Sequence, residues 1–162
     1  MLGRLSDAAD RVVLIVSVAL VLAMLGVSIA GITHQALLGE PLVWSYSLAR
    51  LFLPWVAMLS ITVALKRGEH VALTFLVIRL PSSARRLCAW IGVVVLALFA
   101  AALIWFGTTF FLGATQLYMV SGTIQVSTRW MAASVPVAGL VLALHALAGP
   151  RLMALQGSGA ET

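Results

Sequence analysis

"ALKRGEHVALTFLVIRLPSSARR", residues 64–86, decides how the chain is read. Five of the ten Lys and Arg residues fall inside it: Lys66, Arg67, Arg79, Arg85 and Arg86. From Leu87 to Thr128 no charged side chain follows. A chain that concentrates its positive charge in one connection and then runs uncharged for so long is patterned for a bilayer, not for water.

Composition agrees. The 162 residues are 62% hydrophobic and 9% charged, and mean hydropathy is +1.11. Soluble domains run at about 45–50% apolar and about 25% charged. A soluble chain of this length still exposes roughly 30% of its unfolded surface, and this one lacks the polar residues to cover it. The sequence pI near 10.7 does not indicate nucleic acid, because the basic residues interleave with membrane-length apolar runs. The single cysteine, Cys88, excludes an intrachain disulfide and a cysteine-rich metal site. It reads as a small apolar filler.

A spanning helix needs about 20 mostly apolar residues. Four segments qualify: 12–32, 44–65, 87–113 and 130–148. The third spans roughly 40 Å as a helix and should tilt or project. Trp44, Trp90 and Trp130 stand near the proposed ends, where interfacial aromatics belong. The first run exceeds the apolar core of a signal peptide, and Asp7 and Asp10 dilute its positive flank. It is therefore read as a retained span. The expected fold is an all-α integral membrane protein, a single four-helix domain over 1–150 with a polar tail over 151–162.

Orientation follows from Lys and Arg. Arg4, Arg11, the five basic residues of 66–86 and Arg151 alternate with connections that hold only Arg129. The bias of cytoplasmic loops toward Lys and Arg places both termini and residues 66–86 in the cytoplasm. Lys66, Arg67, Arg79, Arg85 and Arg86 are thus the topology-determining charges. Within the same connection Leu73, Leu76, Val77 and Leu80 make one helical stripe, and Pro81 ends it. A short interfacial helix over about 70–80 is expected. Its polar face, with Glu69, His70 and Thr74, is narrow, so docking on a protein competes with lying on lipid.

Candidate chemistry is sparse. The four proposed spans hold no Asp or Glu, whereas an ion-coupled carrier needs an intramembrane carboxylate or a broken-helix ion site, and a small four-helix multidrug exporter carries an acid in its first helix. His34, His70 and His145 form no facing pair suited to haem. No nucleophile–base pair, phosphate loop or metal spacing is present, so no enzyme activity and no cofactor are expected. Arg50 lies inside the second span, and Pro54 removes the backbone bond to its carbonyl. Arg50 either snorkels to headgroups or binds a carbonyl or carboxylate of a partner. Pro136 breaks the fourth span in the same way at Ala132. Gly26, Ala30, Gly139 and Ala143 offer small residues for close helix packing.

The stretch "LARLFLPWVAMLSITVALKRGEHVALTFLVIRLPSSARR", residues 48–86, resembles the small membrane subunit of tripartite ATP-independent periplasmic (TRAP) transporters. The residues that carry the resemblance are Arg50, Trp55, Lys66-Arg67, His70, Leu80-Pro81 and Arg85-Arg86. The later "IQVSTRWMAASVPVAGLVLALHAL" adds Trp130, Pro136 and Gly139 in the manner of the family's fourth helix. The chain departs from the pattern at Ser45, Tyr46 and Ser47, where the family often carries an acid, and at Ser60-Ile61, where small residues are common.

The resemblance implies a bacterial inner-membrane location and a stable complex with a large permease subunit. That subunit would carry the substrate and sodium sites, fed by a periplasmic substrate-binding protein. The small subunit would brace the large one during uptake of an organic acid or similar solute. Arg50, Trp55, His70, Leu76 and Val77 are the candidate contacts with the partner. The polar tail fits a chain separate from the large subunit. An accessory or anchor subunit of a membrane redox or enzyme complex is the alternative, and a stand-alone channel or carrier ranks third.

Overall fold

The computed structural model describes residues 2–67 and 81–148. Helix α1 covers Leu2–Leu38, α2 Val43–Arg67 and α3 Ser82–Gly113. A two-stranded antiparallel hairpin follows, β1 at Leu117–Met119 and β2 at Gln125–Ser127. The last span is split into α4, Arg129–Ala132, and α5, Ser134–Ala148. Among the described residues four stretches are long and apolar enough to cross a membrane: Gly3–Leu38, Val43–Lys66, Trp90–Gly113 and Arg129–Leu147.

The helices outrun the apolar segments. At about 1.5 Å per residue α1 reaches roughly 55 Å, against a hydrocarbon core of about 30 Å. It therefore continues through Asp7 and Asp10, where the apolar run has already ended. It stops at Gly39, whose φ of +76° is open to glycine without steric cost. Gly39 N–H donates to the Gln35 carbonyl at 2.9 Å and closes the last turn as a left-handed C-cap does. Across that turn His34 Nδ1 donates to the Glu40 carbonyl at 3.0 Å. The helical hairpin closes tightly because Gly31 has no side chain: a Cβ there would collide with Ser45 Oγ.

Each packed helix shows one buried stripe. On α1 it is Ser6, Asp10, Val13, Ser17, Leu20, Met24, Val27, Gly31 and His34, all buried or half-buried. These are spaced by alternating fours and threes, the 3.5-residue repeat of left-handed helix packing. The matching stripe on α2 runs Leu51, Trp55, Leu59, Thr62 and Lys66, and on α5 Ser134, Ala138, Leu142 and His145. Val13, Leu59 and Val63 form the apolar centre, with Leu14, Leu20, Trp55 and Val141 against it.

Helices α1, α2 and α5 meet in this core, whereas α3 packs chiefly on α5. That second contact is set by glycine. A Cβ on Gly107 would stand 2.9 Å from Pro136 N, and one on Gly139 3.0 Å from Ile104 N. Gly26 has nothing within 4 Å, and Ala30 is exposed. Of the small residues expected at helix interfaces, Gly139 packs against another helix of this chain, while Gly26 and Ala30 face outward.

Two features expected from the sequence take a definite form. The connection after α3 is an ordered hairpin, closed at its base where Thr128 N–H and Oγ1 both donate to the Gln116 carbonyl, at 3.0 and 2.8 Å. The fourth span stays helical through Ala133 (φ −62°, ψ −24°), where Ala133 N–H donates to the Arg129 carbonyl at 2.8 Å and Val137 N–H to the Ala133 carbonyl at 3.2 Å. Pro136 lacks the N–H that would bond the Ala132 carbonyl, so the break expected there is the loss of one bond and not of the helix. Pro54 likewise sits inside an unbroken α2.

Candidate functional site

Polar side chains gather at the end of the bundle that holds the N-terminus. Ser6 Oγ and His145 Nδ1 lie 2.9 Å apart, joining α1 to α5. Lys66 Nζ donates to the Ser6 carbonyl at 2.7 Å and to Asp7 Oδ1 at 3.0 Å, joining α2 to α1. Ser6 is 1% exposed and His145 4%. The Lys66 side chain is 8% exposed and that of Asp7 62%. Lys66 thus buries its stem and much of its charge, with the carboxylate on the wet side. Among the described residues, Ser17 Oγ and His145 Nε2 are buried without a protein partner.

The local sequence explains the arrangement. Ser6, Asp10 and Ser17 belong to the buried stripe of α1, so the helix turns its hydroxyls and a carboxylate toward α2 and α5. In a bilayer, apolar contact gives little drive for helices to associate, and hydrogen bonds between helices contribute more of the specificity. Ser6 lies inside α1, where its carbonyl is already bonded along the helix, and the buried Lys66 ammonium takes that oxygen's second lone pair. The sequence reading assigned Lys66 to topology, and the structure adds this interior role.

The opposite end is aromatic. Trp55 Nε1 donates to the Trp130 carbonyl at 2.9 Å, and the two indoles are tilted with centroids 5.2 Å apart. The bond fastens α4 to α2 at the start of the fourth span. Trp55, expected at the partner subunit, is half-buried and hydrogen-bonded within its own chain. Arg50 is exposed, with its guanidinium carbon 5.9 Å from the centroid of Tyr46. Tyr46 is itself 70% exposed. Of the candidate partner contacts that are described, Arg50 is the one left open to solvent or membrane.

The remaining candidates are placed as follows. His70, Leu76, Val77 and Arg79, with the expected helix over 70–80, lie outside the described residues, as does the tail over 151–162. Arg67 ends α2, and Arg85 and Arg86 stand near the start of α3. His34 lies near one end of α1, and His145 of α5 packs on Ser6 near the other, roughly 42 Å of helix away. Among the described residues no group of three or more His, Cys, Asp or Glu is placed to hold a metal ion. Carboxylates inside described helices are Asp7 and Asp10, both in the first three turns of α1.

Sequence reasoning overlooked the Ser6–Lys66–His145 cluster. Its signal was the spacing of Ser6, Asp10 and Ser17, which places three polar residues on one helical face. A hydropathy reading averages over direction and does not register this.

Residues 24–150 match the family model described as tripartite ATP-independent periplasmic transporters, DctQ component. The chain is 32% identical over 137 residues to the sialic acid TRAP transporter small permease protein SiaQ of Vibrio cholerae serotype O1 (strain ATCC 39315 / El Tor Inaba N16961). That alignment covers 82% of this chain and 76% of the relative. It is also 29% identical over 123 residues to the sialic acid TRAP transporter permease protein SiaT of Haemophilus influenzae (strain 86-028NP), covering 76% of this chain but 20% of that longer protein. With four membrane-length helices and a family match running from mid-α1 past the end of α5, the chain belongs to the DctQ component family of the TRAP transporters, a family of transport proteins and not of enzymes.

Proposed function

We propose that this chain is a small permease subunit that braces a large permease subunit during sodium-coupled, binding-protein-dependent uptake of an organic acid. The observation that carries the reading is where the carboxylates are. Asp7 and Asp10 stand near one end of α1, and Asp7 is tied to Lys66. Among the described residues no carboxylate stands in the core of Val13, Leu59 and Val63, whose buried polar neighbours are the hydroxyls of Ser17 and Thr62. Coupling sodium to a solute calls for ligands at membrane depth that replace water. The coupling sites therefore belong to another subunit, and this chain contributes surface and rigidity.

The surface suits that work. Helix α3 leaves a long apolar face uncovered, including Trp90, Val94, Leu98, Trp105 and Phe106. The match to about a fifth of the longer SiaT supports a unit that works joined to a larger permease. Both similar proteins are named for sialic acid, which supports an organic acid as the solute. Both termini and the 68–80 connection are cytoplasmic on the Lys and Arg bias. The hairpin and Arg50 then face the side from which a periplasmic binding protein arrives. His70, Leu76 and Val77 dock the large subunit from the cytoplasmic interface.

Reconstitution tests the reading. Liposomes holding the large subunit with this chain, a sodium gradient, the binding protein and a substrate are expected to accumulate solute. Uptake by this chain alone would overturn the accessory role, and full uptake by the large subunit alone would overturn bracing. Cysteine labelling at Gln35 and at Gly157 checks the orientation: Gln35 should react from outside and Gly157 only after permeabilisation.

A further inference from the structure

The hairpin between the third and fourth spans is held at a definite depth. Ser6 and His145 lie 2.9 Å apart, and Lys66 bonds the Ser6 carbonyl. The ion pair of Lys66 with the mostly exposed Asp7 therefore marks one boundary of the membrane at the level of His145. From His145 back to Arg129 the fourth span is helical and runs roughly 24 Å. The hydrocarbon is about 30 Å thick, and any tilt shortens the depth that the helix reaches. The hairpin thus begins at or just inside the far boundary, and its three-residue strands add at most about 10 Å. The turn after α1 is different: Gln35 stands roughly 44 Å along that helix from Ser6, clear of the hydrocarbon.

The two faces of the hairpin differ. Leu117 stands opposite Ser127, Tyr118 opposite Val126 and Met119 opposite Gln125, and opposed side chains share a face. Tyr118 and Val126 are half-buried and turn inward with the buried Val120. Leu117 and Met119 turn outward beside Gln125. Leu117 is 62% exposed and Met119 56%, and Ile124 at the turn is 55% exposed. No charged side chain lies anywhere in 114–128. The tip is closed where Val120 N–H and Ser121 N–H both donate to the Ile124 carbonyl, at 2.9 and 3.2 Å. Among the described residues the sheet has two strands, so the outer edge of each needs hydrogen-bond partners that hydrocarbon does not offer.

We propose that the outward face of this hairpin lies in the lipid boundary of the leaflet away from the N-terminus, with Leu117, Met119 and Ile124 among the acyl chains and Gln125 and the strand edges among the headgroups. Depth and chemistry argue for lipid together. The fourth span is too short to lift the hairpin clear of the headgroups, where a soluble protein would meet it. An uncharged face that sets large apolar side chains beside hydrogen-bonding groups matches a zone that is itself part apolar and part polar.

The full chain in phospholipid nanodiscs, alone and joined to the large subunit, tests this. Cys88→Ser removes the native thiol, and nitroxide labels are attached through Leu117→Cys, Met119→Cys and, as the reference, Gln35→Cys. Power-saturation electron paramagnetic resonance compares collisions with dissolved oxygen, which concentrates in lipid, and with a water-soluble nickel chelate. Labels at positions 117 and 119 should meet oxygen more often than the chelate, and the label at position 35 the reverse, in both preparations. Circular dichroism confirms the helix content of each variant, and either hairpin position decides the matter without the other. Hairpin labels as open to the chelate as the reference would overturn the proposal. Loss of their oxygen contact when the large subunit joins would also overturn it, by giving the face to that subunit.

Discussion

Ser6 Oγ and His145 Nδ1 lie 2.9 Å apart across 139 positions of sequence, so the first turns of the first helix and the last turns of the fourth span share one hydrogen bond. Both residues are buried. Ser6→Ala removes the bond and leaves the imidazole nitrogen unpaired. Hydrogen bonds between membrane helices measured by double-mutant cycles average about 0.6 kcal/mol and reach about 1.7. The Ser6→Ala, His145→Ala cycle is expected to give a coupling in that range, read from reversible unfolding in mixed detergent. Strict additivity of the two variants would show that the contact contributes nothing.

Lys66 makes two bonds of unequal worth. Asp7 is mostly exposed, so solvent screens its attraction to Lys66 and the ion pair contributes little. The bond to the Ser6 carbonyl is made beside the buried Ser6 side chain, where water screens it less. Lys66→Met is therefore expected to lower the melting temperature clearly more than Asp7→Asn. Equal losses, or a larger loss for Asp7→Asn, would make the ion pair the dominant bond.

The four spans were legible because an apolar run of membrane length has few other uses in a chain this hydrophobic. Their ends were less so. Charge ends an apolar run, but it does not end a helix that leaves the hydrocarbon, and α1 passes through Asp7 and Asp10 for that reason. The hairpin between Leu117 and Ser127 carries no charge, and the Gly122 turn signal was passed over within an uncharged connection. The family resemblance rested on Arg50, Trp55 and the basic pair, and the match over residues 24–150 agrees with it. The pairing of Lys66 with Asp7, across 59 positions, is long-range, and no local spacing announces it. Gly26 and Gly139 likewise look equivalent until partner helices are in place.

That difference between glycines is measurable. Gly107 and Gly139 let α3 and α5 approach so closely that an added methyl meets backbone atoms at 2.9–3.0 Å. Backbone yields less readily than a side-chain tip. Gly107→Ala and Gly139→Ala should each destabilise the chain by about 1–3 kcal/mol, the usual cost of overpacking. Gly26→Ala meets nothing within 4 Å and gains helix propensity of up to about 1 kcal/mol. Its melting temperature should hold or rise. Loss of stability at Gly26 as large as at Gly107 would contradict the packing described.

Arg50 separates folding from assembly. Its described contact within the chain is with the exposed ring of Tyr46 at 5.9 Å, an interaction worth about 0.5–1 kcal/mol at an exposed site. Arg50→Ala should therefore change the stability of the isolated chain by no more than that. Pro54 lies four residues on and has no N–H for the Arg50 carbonyl, so a strong cation and an under-used acceptor stand at one level of α2. A partner that offers both an acceptor and a donor would engage them together. If the large subunit is that partner, a charge-assisted bond of about 1.5–3 kcal/mol is lost in the variant, and the dissociation constant of the complex rises roughly 10- to 100-fold. Arg50→Lys, which keeps the charge but not the planar fork, should recover part of the affinity. Titration of labelled chain into the large subunit in nanodiscs reads both variants directly. An unchanged dissociation constant for Arg50→Ala would assign the guanidinium to the headgroups instead, and the same titration on Tyr46→Leu would then show whether the aromatic face alone guides docking.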